Sequence, residues 1–171
     1  GASSPTGMSA VTLSYDGTNW TAEESLSTAR RDLAGSGTAT AGLGTAGYTN
    51  PPSTYYTNTE EYGGESWTAG GSLLVATRSG QSSGTQTDAI FFGGNTPTKT
   101  TATFGYDGTS WSTRPSLATA RTNFGAGATS PVGAAWGAGG YYPGSSPNRT
   151  NTTEHFNVET TAANIVDITT S

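Results

Sequence analysis

One hexapeptide recurs three times along the chain, and any admissible fold must place its copies in equivalent positions. Tyr15-Asp16-Gly17-Thr18-Asn19-Trp20 returns as Tyr62-Gly63-Gly64-Glu65-Ser66-Trp67 and as Tyr106-Asp107-Gly108-Thr109-Ser110-Trp111, so the tryptophans stand 47 and then 44 residues apart. A second shared element follows each tryptophan. It reads Ser25-Leu26-Ser27-Thr28-Ala29-Arg30, then Ser72-Leu73-Leu74-Val75-Ala76-Thr77-Arg78, then Ser116-Leu117-Ala118-Thr119-Ala120-Arg121, the middle copy taking one inserted residue if Arg78 is to match the other arginines. Beyond each arginine a run of small residues leads to a glycine signal, at Ala46-Gly47, Gly93-Gly94 and Gly139-Gly140.

Each unit reads as four short strands. Val11, Leu13 and Tyr15 alternate with Thr12, Ser14 and Asp16, the period of a half-buried strand. Asp-Gly or Gly-Gly supplies the positive φ of a tight hairpin, and tryptophan opens the returning strand. Thr21-Ala22-Glu23-Glu24 with Leu26, Ala29 and Leu33 looks locally like a capped helix. The repeat overrules it, because the matching segments carry Pro115 and the pair Gly70-Gly71, so a strand and loop are predicted in all three copies.

Composition agrees with a sheet protein. Hydrophobic residues are 32% of the chain and charged residues 11%, while aromatics reach 10% and glycines number 25; a core must therefore be built from rings, Ala and Thr methyls, residues that fit pleated surfaces. With no Cys and a single His, His155, disulfides, thiol nucleophiles and Cys/His zinc sites are excluded. The net charge is −5, and the 7 Lys and Arg are scattered singly apart from Arg30-Arg31. No basic stripe for nucleic acid is legible, nor an exposed basic or hydrophobic loop cluster. No apolar run approaches the about 20 residues of a membrane span, and a soluble chain is expected.

An Arg, a small-residue strand, a double glycine, then about a dozen residues to Tyr-Asp-x-x-x-Trp and a further Leu-x-x-x-Arg resembles the kelch repeat, one blade of a β-propeller. The resemblance covers residues 9–168. It departs at Gly63, which replaces Asp, at Ala46, which replaces Gly, and in the last unit, which has Glu154-His155-Phe156-Asn157 but lacks the Trp. It implies an all-β, kelch-like β-propeller segment of about three and a half four-stranded blades. The divisions are an N-terminal extension (1–8), a partial blade (9–32), blades at 33–79 and 80–122, and a degenerate blade at 123–171 whose fourth strand is predicted over Ala163–Thr169. Tyr15, Trp20, Arg30, Tyr62, Trp67, Arg78, Tyr106, Trp111 and Arg121 are the structural repeat residues. The tryptophans are expected in equivalent, buried positions, and the arginines are expected to bond backbone carbonyls of adjacent units. Three and a half units are not expected to close into a ring, leaving the edge near Leu13 and Tyr15 to be covered by other residues or another subunit.

The variant Tyr-Asp-Gly-Thr-Ser-Trp with Ser-Leu-x-x-Ala-Arg is further similar to kelch-like proteins of marine bacteriophages, notably cyanophages. That resemblance implies a non-enzymatic virion or tail-fibre component on the particle surface. Its partners would be other virion proteins, copies of itself or a host-surface glycan or protein, with no cofactor, nucleic acid or membrane insertion. The alternative is a kelch interaction or adhesion domain of a cellular or secreted protein.

Catalytic motifs match only by accident. Gly80-Gln81-Ser82-Ser83-Gly84 fits a nucleophile elbow, but the repeat places it in a small-residue strand rather than a strand-to-helix turn. Gly42-Leu43-Gly44-Thr45-Ala46-Gly47 fits a dinucleotide fingerprint, but no helix can open at Tyr48–Pro52. Asp16, Asp107 and Glu60-Glu61 lack calcium-loop spacing. The usable surface features are Tyr55-Tyr56 and Tyr141-Tyr142, both beside prolines where the second and third strands of a unit join; tyrosines suit contacts with glycans or proteins, or packing on the next unit. Trp136 is expected in the core.

Overall fold

The computed structural model describes residues 7–129, 132–144 and 149–157, and the backbone of 166–168. Every described element is a strand, and no helix forms anywhere in 21–35. The hairpin of β1 (Thr12–Tyr15) and β2 (Trp20–Glu23) comes first. A four-stranded antiparallel sheet follows, made of β3 (Ala34–Thr38), β4 (Ala41–Thr45), β7 (Thr59–Tyr62) and β8 (Trp67–Ala69), with a small side ribbon of β5 (Tyr48–Thr49) and β6 (Thr54–Tyr55). The second sheet is β9 (Gln81–Gly84), β10 (Ala89–Phe92), β11 (Thr103–Tyr106) and β12 (Trp111–Arg114). The third is β13 (Gly125–Ala128), β14 (Ala134–Ala138), β15 (Thr153–Asn157) and β16 (Val166–Ile168). β16 falls inside the segment predicted as the fourth strand, whose residues 163–165 and 169 lie outside the described residues, as does most of the N-terminal extension.

The hairpin turns lie at the repeated Asp-Gly and Gly-Gly positions, with Gly17, Gly64 and Gly108 at φ 98°, 93° and 88°. Tyr faces Trp across each hairpin, in the pairs Tyr15 with Trp20, Tyr62 with Trp67 and Tyr106 with Trp111. Asp16 and Asp107 accept the N–H groups of the residues two and three ahead at 2.7 to 2.9 Å. These turn bonds hold both carboxyls below their usual range and give them a role without a metal.

The sheets stack side by side with the first strand of each innermost, giving an all-β, propeller-like architecture. β9 lies between β3 and β13. Backbone bonds recur along this inner line: Ser79 N–H donates to Asp32 O (2.9 Å), Asn123 N–H to Ser79 O (3.1 Å), Gly47 N–H to Thr77 O (2.9 Å) and Gly94 N–H to Arg121 O (2.8 Å). Two apolar clusters fill the seams, one around Leu43, Leu73, Phe91, Phe104 and Trp111, the other around Ile90, Phe92, Phe124 and Ala135.

The tryptophans are equivalent in the repeat but not in burial. Trp111 is 5% exposed and donates through Nε1 to Thr59 Oγ1 of the preceding sheet at 2.9 Å; Trp67 is half-buried and donates likewise to Thr12 Oγ1 at 2.8 Å. Trp20 is 68% exposed, against the expectation. Each tryptophan is covered by the unit before its own, and within these residues no unit precedes Trp20. Trp136 also departs from expectation, at 42% exposed. Its counterparts Leu43 and Ile90 are buried in the seams with the sheets that follow theirs, whereas Trp136 faces outward from the third sheet across Gly127.

Candidate functional site

In a four-stranded antiparallel meander the first-to-second and third-to-fourth turns share one end, and the remaining connections share the other. Asp16, Glu65, Asp88 and Asp107 occupy the turn end. At the loop end the structure gathers what the chain scatters. Of the Lys and Arg residues, Arg30 and Arg121 are spent in buried ion pairs and Arg114 lies against Gly105. The rest, Arg31, Arg78, Lys99 and Arg149, all come to the loop end. The basic cluster absent from the linear sequence therefore exists in three dimensions.

Repeat register explains how. Asp32, Ser79 and Asn123 share a positive φ (58°, 56° and 53°), as do Ala46, Gly93 and Gly139 (64°, 67° and 70°). Counting back from the first set aligns Arg30 with Thr77 and Arg121, and Arg31 with Arg78 and Thr122. The second element is thus ungapped, and Arg78 is not the counterpart of Arg30 and Arg121. Those two are fully buried: Arg30 donates to Ala46 O (2.8 Å) and pairs with Glu60 (2.5 Å), while Arg121 donates to Gly139 O (3.0 Å) and Thr152 O (3.1 Å) and pairs with Glu154. Burial pushes the Glu60 carboxyl up, but the Ser27 N–H and the Arg30 guanidinium outweigh it and hold the group below its ordinary value. In the middle unit the matching residues are Thr77 and Phe104, both buried and uncharged.

Arg78 instead belongs to an aromatic belt. Its guanidinium lies 4.3 Å over the Tyr48 ring and 5.5 Å over Tyr55, and Arg31 approaches Tyr48 at 5.3 Å, each a cation–π contact. The Tyr55 hydroxyl donates to Asn95 Oδ1 (3.2 Å). Beyond Asn95 opens a cavity of about 250 Å³, lined by Arg78, Asn95, Lys99, Thr122, Asn123 and Tyr141 from the connections of three successive units. Tyr141 is 39% exposed and carries Arg149 at 5.8 Å from its ring. Among the described residues the one acid paired with these cations is Asp32, 3.5 Å from Arg78 Nη1.

The four candidate tyrosines thus divide. Tyr55 and Tyr141 join the belt, while Tyr56 turns to Thr49 (3.4 Å between oxygens) and Tyr142 is not part of the cavity wall. Tyr48, Asn95, Lys99 and Arg149 carried no motif. The signal that finds them is positional: Tyr48, Asn95 and Tyr141 pair with Arg31, Arg78 and Thr122 at one repeat position. A second cleft, lined by Ile90, Phe92, Leu117, Trp136 and Phe156, has free space of about 10 Å³, barely one water.

The accidental motifs resolve structurally. Ser82 sits in β9, its hydroxyl bonded to Ser36 (3.1 Å), and Gly42–Thr45 lie in β4. Glu61 accepts from Tyr106 (2.5 Å). Among the described residues no three His, Asp or Glu side chains converge as a metal site.

No family model matches the chain, and no curated protein does. Among solved structures 150 chains match. One is YjhT, at 13% identity and TM-score 0.71 over 92% of this chain and 52% of that one, so this chain spans about half the length of YjhT. At that identity the likeness is one of fold.

Proposed function

We propose that the chain is a non-enzymatic, kelch-like module whose work is contact, made through the loop end of its blades, and that it serves on a bacteriophage particle as a fibre, decoration or receptor-contacting component. The observation that carries the contact reading is the gathering of Arg31, Arg78, Lys99 and Arg149 with Tyr48, Tyr55 and Tyr141 at one end of a chain of net charge −5. Arg and Tyr together give large, stiff contact area with polar tips. The phage setting rests on the repeat variant in the sequence. Mass spectrometry of purified particles tests it: the chain should co-purify with capsid and tail proteins. Recovery from cell lysate alone would favour the second reading, an interaction or adhesion domain of a cellular or secreted protein, which the same partly exposed basic and aromatic cluster also suits.

A further inference from the structure

We propose that the cavity between Arg78, Lys99 and Tyr141 binds the carboxylate of a single acidic sugar residue, a uronate. Arg78 and Lys99 would hold the carboxylate, with Asn95, Asn123 and Tyr141 meeting the ring hydroxyls. This deepens the contact reading above by naming the ligand of that surface.

The charge argument comes first. Two cations face one cavity whose described lining contains no carboxylate, in a protein with a sequence pI near 4.6. The one acid nearby, Asp32, reaches Arg78 only on the Nη1 side at 3.5 Å, and the Arg78 side chain is 29% exposed. The part of the guanidinium that Asp32 leaves free can therefore meet a ligand carboxylate. Tyr48 and Tyr55 hold the guanidinium plane from behind, so the side chain is already oriented.

Size and lining choose the sugar. Clefts for drug-sized ligands run from about 300 Å³ upward, and this one, at about 250 Å³, takes one small ring rather than a stretch of peptide. Its walls offer two side-chain amides, hydroxyls and a single phenol, which pair with hydroxyl groups; no apolar recess is present to receive a peptide side chain.

The test is a calorimetric titration of the purified chain with glucuronate, with glucose, sulfate and tetraglutamate titrated in parallel. Glucuronate is expected to bind, glucose not to, and sulfate and tetraglutamate to bind more weakly. Lys99→Gln should weaken glucuronate about tenfold, the loss of one charge-assisted hydrogen bond. Arg114→Gln, exposed on β12 and outside the cavity, should leave it within about twofold. Equal affinity for sulfate, tighter binding of tetraglutamate, equal losses in the two variants, or no heat with glucuronate would each overturn the proposal. A flat glucuronate titration alongside intact binding of the chain to host cells would reject the uronate site and leave the contact reading standing.

Discussion

The repeated tryptophan shows how far one residue's role depends on its neighbour. Trp111 is anchored by Thr59 and packed edge-on to Phe91 at 6.4 Å, whereas Trp20, stacked only on Tyr15 at 5.1 Å, is exposed. Trp111→Ala is expected to cost about 3 to 5 kcal/mol and Trp20→Ala to leave the melting temperature almost unchanged; thermal denaturation of the two variants side by side checks this. The ionisable residues give a second expectation. A carboxyl held below its unfolded value adds stability above that value and loses it as pH falls through the native one. Glu60 should therefore contribute fully above its ordinary 4.5 and progressively less below it. Melting temperature followed downward from pH 7 should fall less steeply in Glu60→Gln than in the parent chain. At the other extreme, burial first and then the Glu61 carboxylate raise Tyr106 to about 12, so ultraviolet titration should find one tyrosine ionising well after the exposed ones, with stability lost between pH 10 and that point.

At the level of the strand and its loop, the middle unit solves the same packing problem with different residues. Where the outer units bury Arg30 with Glu60 and Arg121 with Glu154, it buries Thr77 and Phe104. Where they place Leu33 against Gly44 and Phe124 against Gly137, it places Gly80 against Phe91, whose ring would stand 2.4 Å from a Cβ at Gly80. Both exchanges conserve volume within a pair while reversing which strand supplies it. Breaking a buried ion pair at one partner typically costs about 3 to 5 kcal/mol, whereas replacing both partners with packed apolar groups is often neutral. Arg30→Thr alone should destabilise by that amount, and Arg30→Thr with Glu60→Phe should recover most of it. A double-mutant cycle by denaturant unfolding measures the coupling directly.

For the molecule as a whole, the stack has two differently exposed end faces. Val11, Leu13, Tyr15 and Trp20 lie exposed at the first hairpin, and Trp136 on the far side of the third sheet. Exposed apolar patches of this kind associate, and an unpaired hairpin edge offers backbone donors and acceptors. The 171-residue chain should therefore self-associate with rising concentration in sedimentation velocity, and Trp20→Ser should weaken that association without lowering the melting temperature. A concentration-independent monomer would show that these faces do not seek each other. Charge is uneven along the perpendicular direction, with Asp16, Glu65, Asp88 and Asp107 in the turns and Arg31, Arg78, Lys99 and Arg149 beside Glu24 and Asp32 in the loops, so this association should depend little on salt, in contrast to ligand binding at the loop end.

Local chemistry, repeated, was enough to make the strands legible: alternation before Tyr, a turn of Asp-Gly or Gly-Gly, and a returning Trp can be satisfied three times over only by hairpins, and the repeat overrode the helix that Thr21–Gly35 favours by itself. The same residues placed the turns and the arginine-bearing connections. Burial was not legible, because it depends on which unit lies next door; Trp20 and Trp136 are apolar by composition and exposed by position. Nor was the cation cluster, since Arg31, Arg78, Lys99 and Arg149 are far apart along the chain and meet only because antiparallel meanders return every second connection to the same end. Register decided the remainder. A single gap placed in the middle copy hides that Thr77, not Arg78, stands where Arg30 and Arg121 do, and only the recurrence of positive φ at Asp32, Ser79 and Asn123 reveals it, because backbone geometry repeats even where side chains have been exchanged.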